Sequence, residues 1–235
     1  MTEKLFTALD IYYDVAPHPA AMNMAIDEAL LGCAAIPSIR FYRWQSPALS
    51  FGYFGKFLDV AIYAEKRDLV RRWTGGGIVF HGEDLTYAIV IPATDPAFHD
   101  SPTAIYEKIH RALAEALVET GQSAVVAGGA DPGRFTAATR AAVNAAGYNC
   151  FANPVRADVM IDGRKVAGAA QRRTRHGLLQ QGSIQQINLE NRLLDRFANA
   201  LSPNCSQLKI EEEIFQRARE IARQKYGTGS WLRKR

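Results

Sequence analysis

The stretch Arg71-Arg72-Trp73-Thr74-Gly75-Gly76-Gly77-Ile78-Val79-Phe80-His81 is the most informative string in the chain. Three successive glycines leave the backbone free to take positive φ and let its N–H groups approach a ligand without Cβ obstruction. Such an amide cradle favours anions. The two arginines just upstream add donors suited to bidentate contact with phosphate or carboxylate. No Gly-Lys-Ser/Thr follows, so this is not a P-loop, and the dinucleotide fingerprint is absent. The plainer alternative is a glycine-rich hairpin flanked by two solvated arginines.

Around this run the chain reads as short strands. Residues 70–73 lead into it, and 78–80 and 85–91 read as two strands joined by His81-Gly82-Glu83-Asp84, with Gly82 suited to a tight turn. Upstream, 38–44 and 49–53 are further strands, bounded by Pro37, Gln45-Ser46-Pro47 and Gly55. The spacing of Met22, Ala25, Ile26, Ala29 and Leu30 predicts a helix over 20–33. Ser101-Pro102 opens a second helix with serine as its cap, a stripe of Ile105, Ile109, Leu113 and Leu117, and Gly121 as its stop. Residues 127–147, rich in Ala, Gly and Thr, read as a loop or weak helix. Three more strands follow at 157–161, 164–170 and 177–186, the first two joined by a tight Asp162-Gly163 turn.

Two closing helices, within about 190–226, carry Leu193, Leu194, Phe197 and Leu201, then Ile210, Ile214, Phe215, Ala218 and Ile221. Short strands with helices at both ends predict an α+β fold, a mixed or antiparallel sheet flanked by helices, rather than a regular βαβ repeat. No internal repeat or low-complexity linker appears, so a single domain over 1–235 without a separate accessory domain is expected.

Composition narrows the function classes. The net charge of +4 is modest, and the basic residues are not interleaved with aromatics at regular spacing, which argues against a nucleic-acid module. Cys33, Cys150 and Cys205 are odd in number, widely spaced and form no CxxC pair, which argues against a disulfide framework or a zinc site. No signal-peptide pattern and no apolar run of spanning length occur, so a soluble, cytoplasmic protein is expected.

A second segment bears chemistry: Asp158-Val-Met-Ile-Asp162-Gly163-Arg-Lys165-Val-Ala-Gly168-Ala-Ala170-Gln171. Lys165 sits early on the strand after the turn. A lysine there can neutralise an anionic group and polarise a carbonyl, although most lysines are simply exposed.

Taken together, Arg-Arg-x-Thr-Gly-Gly-Gly-x-Val-x-His, Gly-Arg-Lys-x-x-Gly-x-Ala-Gln and Gly182-Ser183-Ile184 resemble the biotin/lipoate protein ligase superfamily. The nearest branches in pattern are lipoate–protein ligase A and the related octanoyltransferases. Asn23-Met-Ala-Ile-Asp27-Glu28, Trp44-Gln-Ser-Pro47 and Ser50-Phe-Gly52 add to the match, which runs from about 23 to 184. The resemblance implies a class II synthetase-like catalytic domain with a cleft for an acyl chain and a nucleotide. It implies that Arg71, Arg72, Thr74, Gly75, Gly76, Gly77 and His81 line a lipoyl and adenylate site. Lys165 would hold carboxyl or phosphate oxygens, with Asp158, Gly168 and Ala170 at the nucleotide. Trp44, Tyr53, Phe80 and Tyr87 are candidates for the acyl slot.

Two activities follow from the resemblance. The leading one is a lipoate–protein ligase: ATP, with Mg²⁺ on its phosphates, converts lipoate or octanoate to an acyl-AMP such as lipoyl-AMP. A lysine of a lipoyl carrier domain, such as a 2-oxoacid dehydrogenase E2 or a glycine cleavage H-type protein, then takes the acyl group. The alternative is an ATP-independent octanoyltransferase that draws on acyl carrier protein through a thioester on Cys150. Gly77 favours the ligase, since the transferase branch commonly has arginine there, and so does Asn153-Pro154-Val155-Arg156, which departs from that branch's pattern after Cys-Phe. Cys150-Phe151 and the short segment after Ile184 favour the transferase, and a ligase of this length would need no partner or else an accessory protein. A non-catalytic lipoyl-binding module and a biotin ligase fit the motifs less well. Carrier domains of this kind are acidic, so Arg172-Arg173-Thr174-Arg175 is a candidate encounter surface.

Overall fold

The strand Leu85–Pro92 is buried at every position, which requires a sheet covered on both faces. The computed structural model describes residues 4–128, 154–187 and 192–234. It contains the strands β1 (Leu9–His18), β2 (Ser38–Trp44), β3 (Ala48–Phe51), β4 (Asp68–Arg71), β5 (Val79–His81), β6 (Leu85–Pro92), β7 (Ala124–Val126), β8 (Val159–Ile161), β9 (Arg164–Thr174), β10 (Gly177–Ile184) and β11 (Cys205–Leu208). The helices are α1 (Ala20–Cys33), α2 (Pro102–Glu119), α3 (Leu193–Leu201), α4 (Glu212–Ile221) and the short α5 (Gly229–Leu232).

Eight strands form one mixed sheet in the order β11-β1-β2-β6-β10-β9-β8-β7. The pairs β11–β1 and β1–β2 are parallel; the rest are antiparallel. Because strand side chains alternate, Tyr87, Ile89 and Ile91 of β6 enter one core, and Ala88 and Val90 enter the other. The first core is closed by α2 through Ile105, Ile109, Leu113 and Leu117, and by α3 through Leu193 and Phe197. The second is closed by α1 through Met24, Ile26 and Leu30, with Ala218 of α4 packed on it. Ser101 caps α2, accepting from Ala104 N, and Gly121 ends that helix with φ +88°. The α+β fold expected from the sequence is therefore present.

Three more strands form a small separate sheet, β4-β3-β5, and here one expectation fails. β5 and β6 are not a hairpin: β5 pairs with β3, whereas β6 pairs with β2 and β10. Residues 81–84 instead carry the chain from the small sheet to the large one, held by His81 Nδ1 against Asp84 Oδ2 at 2.7 Å. The Asp162-Gly163 turn does form as read, with φ of 49° and 76° at its two residues. The closing segment differs as well, because β11 lies between its two helices and adds a parallel edge strand. Residues 129–147 of the expected loop lie outside the described residues.

His110 of α2 is fully buried. Its Nδ1 lies 2.6 Å from Ala157 O and its Nε2 2.9 Å from Tyr87 Oη. A neutral ring donates from Nδ1 and accepts the tyrosine proton at Nε2, so protonation would remove that acceptor. Burial pushes the pKa down from 6.5 to about 4. The unfolded chain therefore takes up this proton near 6.5 and the folded chain only near 4. The contribution to stability is complete above pH 6.5 and is lost as pH falls toward 4, up to about 3 kcal/mol. The urea midpoint should thus fall between pH 7 and 4.5, and His110→Gln should flatten that slope. An unchanged slope in the variant would reject this role.

Candidate active site

The cleft lies at the seam between the two sheets, on the α1 side. Its volume is about 450 Å³ including the open mouth, and Met24, Trp44, Arg72, Gly76, His81 and Lys165 are among its walls. The glycine turn and Lys165, far apart in sequence, thus face one space. β9 and β10 form the part of the lining next to Lys165: Gly168 pairs with Ser183 and Ala170 with Gln181, and all four face the cleft.

Arg72 does not offer an open fork. Its Nη1 donates to Ser50 Oγ at 2.7 Å, and its Nη2 donates to Gly75 O and Gly77 O at 2.9 and 2.8 Å. The guanidinium thus fixes the glycine turn from inside. Gly76 takes φ +84°, where a side chain would be strained, and a Cβ there would press on Ala170 and Arg72. Gly52 explains its own place in the motif: a Cβ would come 2.0 Å from Gly76 O, a backbone contact that cannot yield.

Ser50 Oγ also lies 2.6 Å from His81 Nε2. His81 is stacked on Trp44, with centroids 4.0 Å apart. Burial pushes the His81 pKa down, against the opposing pull of Asp84. The neutral ring donates from Nδ1 to Asp84 and accepts the Ser50 proton at Nε2, while Arg72 donates to the serine oxygen. Burial pushes Asp84 upward, but hydrogen bonds from His81, Ser183 and Gly82 N bring it below the usual carboxylate range. Asp84, His81, Ser50, Arg72 and the glycine turn therefore form one hydrogen-bonded chain along the cleft floor. Thr74 lies behind it, donating to Gln181 Oε1 at 2.8 Å.

On the opposite wall, Lys165 Nζ pairs with Asp158 Oδ2 at 2.8 Å, both side chains buried. A Cβ on Gly168 would fall 2.5 Å from Lys165 Cε and 2.6 Å from Nζ. The bare glycine is what allows the lysine to lie flat across its own strand.

Of the residues expected from the sequence, Arg72, Gly76, His81, Lys165, Gly168 and Ala170 line the cleft, and Thr74, Gly75, Gly77 and Asp158 support them from behind. Arg71 is placed elsewhere. All of its arms donate to carbonyls, namely Tyr53 O, Gly55 O, Trp231 O, Leu232 O and Lys234 O, at 2.6–3.3 Å. It clamps the C-terminal segment onto β4 and is not a cleft residue. Of the four aromatics proposed for the acyl slot, only Trp44 is a wall. Tyr53 meets Arg172 and Lys234, Phe80 packs on Tyr63, and Tyr87 turns to His110. In the arginine cluster, Arg173 is occupied with Phe98 O and Asp100 O. Cys150 lies outside the described residues. Sequence reasoning missed Met24, Gln181 and Ser183 as walls, since only strand pairing and α1 packing bring them in.

Among the described residues no helix is long and apolar enough to cross a membrane, and no group of three or more His, Cys, Asp or Glu could hold a metal ion.

The octanoyltransferase LipM of Geobacillus kaustophilus is 36% identical over 186 residues, covering 75% of this chain and 64% of that protein. LipM of Staphylococcus aureus is 34% identical over 205 residues, covering 83% and 72%. The chain thus spans about two thirds of the length of the curated relatives it matches. In fold, it superposes on the lipoic acid-bound protein Ta0514 of T. acidophilum with a TM-score of 0.75 at 20% identity, over 96% of this chain and 98% of that one. Residues 19–221 match the lipoyl protein ligase A/B catalytic domain, and the chain belongs to that family.

Proposed function

We propose that this chain is a protein octanoyltransferase. The Cys150 thiolate attacks the thioester carbonyl of an octanoyl acyl carrier protein, and the carrier's thiolate leaves. A lysine amine of a lipoyl carrier domain then attacks the enzyme thioester, the Cys150 thiolate is released, and the amine loses its proton. Octanoyl transfer, rather than ATP-dependent lipoate ligation, is favoured because relatives at 34–36% identity bear the octanoyltransferase name. That reverses the order in which Gly77 and the Asn153-Pro154-Val155-Arg156 segment place the two activities.

The site supplies what such a reaction needs. Tyr42, Trp44 and Met24 give an apolar wall for the chain. Lys165 provides a cation beside the carbonyl, where oxyanion charge develops. The reading is tested on apo carrier domain by mass spectrometry, comparing ATP plus lipoate and Mg²⁺ with octanoyl acyl carrier protein. Modification from the octanoyl donor without ATP, lost in Cys150→Ser, is the expected result. Modification that requires ATP and survives Cys150→Ala would establish the ligase instead.

A further inference from the structure

Lys165 owes its place in the cleft to a group outside the cleft. Asp158, its ion-pair partner, is fully buried and accepts three hydrogen bonds. Its Oδ2 takes the Lys165 ammonium at 2.8 Å and Val155 N at 2.7 Å. Its Oδ1 takes the hydroxyl of Tyr106 at 2.6 Å. Tyr106 stands on α2, across the sheet layer from the cleft, and its oxygen in turn accepts Ala169 N at 3.1 Å. Ala169 adjoins Gly168, over which the lysine lies. The hydroxyl therefore ties the carboxylate to the same strand that carries Lys165, and closes a ring of contacts around it.

A carboxylate held at only one oxygen can rotate about its Cβ–Cγ bond. Held at both, it presents Oδ2 in one direction. The ring of Tyr106 is itself pinned edge-on against His110, with centroids 4.2 Å apart. We infer that Tyr106 is a positioning residue for acyl transfer, acting through Asp158 to fix the Lys165 ammonium against the reacting carbonyl. This rests on the transferase reading for the reaction in which the effect is seen, but the geometry it uses belongs to the described residues alone.

Tyr106→Phe keeps the ring and removes only the oxygen. With octanoyl donor and apo carrier domain, kcat should fall roughly tenfold or more, the range seen when the partner behind a working ligand is removed. KM for both substrates should stay within about twofold, since no substrate contact is lost. The decisive measurement is a double-mutant cycle with Asp158→Asn. In the Asp158→Asn background, Tyr106→Phe should change kcat by less than about twofold, because the route through the carboxylate is already cut. An equal loss of kcat in both backgrounds, a loss that appears in KM, or wild-type kcat in Tyr106→Phe would each overturn the proposal. If the wild-type chain does not transfer octanoyl groups at all, the functional reading fails instead, a result the same assay reports separately.

Discussion

Gly168→Ala should give a folded protein whose acyl transfer is reduced by about 10²–10³-fold, the loss typical of removing one preorganised stabiliser of transition-state charge. The added methyl has no room while the lysine lies across position 168: it would stand 2.5 Å from Cε and 2.6 Å from Nζ. Those atoms are the far end of a flexible side chain, so the lysine yields and the backbone does not. Position 168 is in a regular strand without a positive φ, and β9 has no reason to lose its pairing with β10. The ammonium is displaced from buried Asp158 and from the cleft, at a stability cost of up to about 3–5 kcal/mol, the range for breaking a buried ion pair. Transfer rate and urea midpoint are measured on the same preparation. A variant that transfers within threefold of wild type would show that the lysine has another resting place, and the assigned wall would be wrong.

Arg40→Met should be the most damaging change to the fold. Arg40 is fully buried on β2, and all its arms are engaged: Nε and Nη2 on Asp14, Nη2 also on Asn23 Oδ1, and Nη1 on Asn23 O and Asp27 Oδ1. Asp27 is equally buried, and burial pushes its pKa up against the pull of Arg40, Gln181 and Tyr42. Removing the cation leaves that carboxylate uncompensated, which costs about 3–5 kcal/mol. This is a large part of the roughly 5–15 kcal/mol by which a domain is stable. The damage also reaches the cleft, because Gln181 bridges Asp27 to Thr74 below the glycine turn. Denaturant unfolding measures the effect. A loss under about 1 kcal/mol would mean that water or a rearranged side chain satisfies Asp27.

The sequence made the helices over 20–33 and 102–119 and most strands of the large sheet legible, because their apolar spacing is set by burial on one or both faces. β1 was not legible, since Asp10, Asp14 and Pro17 interrupt its alternation, nor was β11, a polar edge strand of Cys205-Ser-Gln-Leu208. The β5–β6 hairpin was misread for a physical reason. A Gly between two strands signals a turn, but nothing local reveals that the two strands belong to different sheets. At the site, glycine run and lysine were readable as chemistry, yet the two arginines looked alike. Only the fold shows that Arg71 meets the carbonyls of the last residues while Arg72 enters the cleft. The family resemblance puts Gly168 beside a nucleotide; its contact with Lys165 gives it a different reason to lack a side chain.

The cleft runs along a boundary that no strand ladder crosses. The glycine turn belongs to the three-stranded sheet and Lys165 to the eight-stranded one, and the joints between them are side-chain contacts: Thr74 to Gln181, Gln185 to Phe80 O, and the stacked rings of Trp44 and His81. Val70 of β4 also shares the α1-side core with Ala88 and Leu179, so side-chain packing rather than backbone pairing joins the two walls. Amides of β3 and β10 should accordingly exchange with deuterium as separate cooperative units.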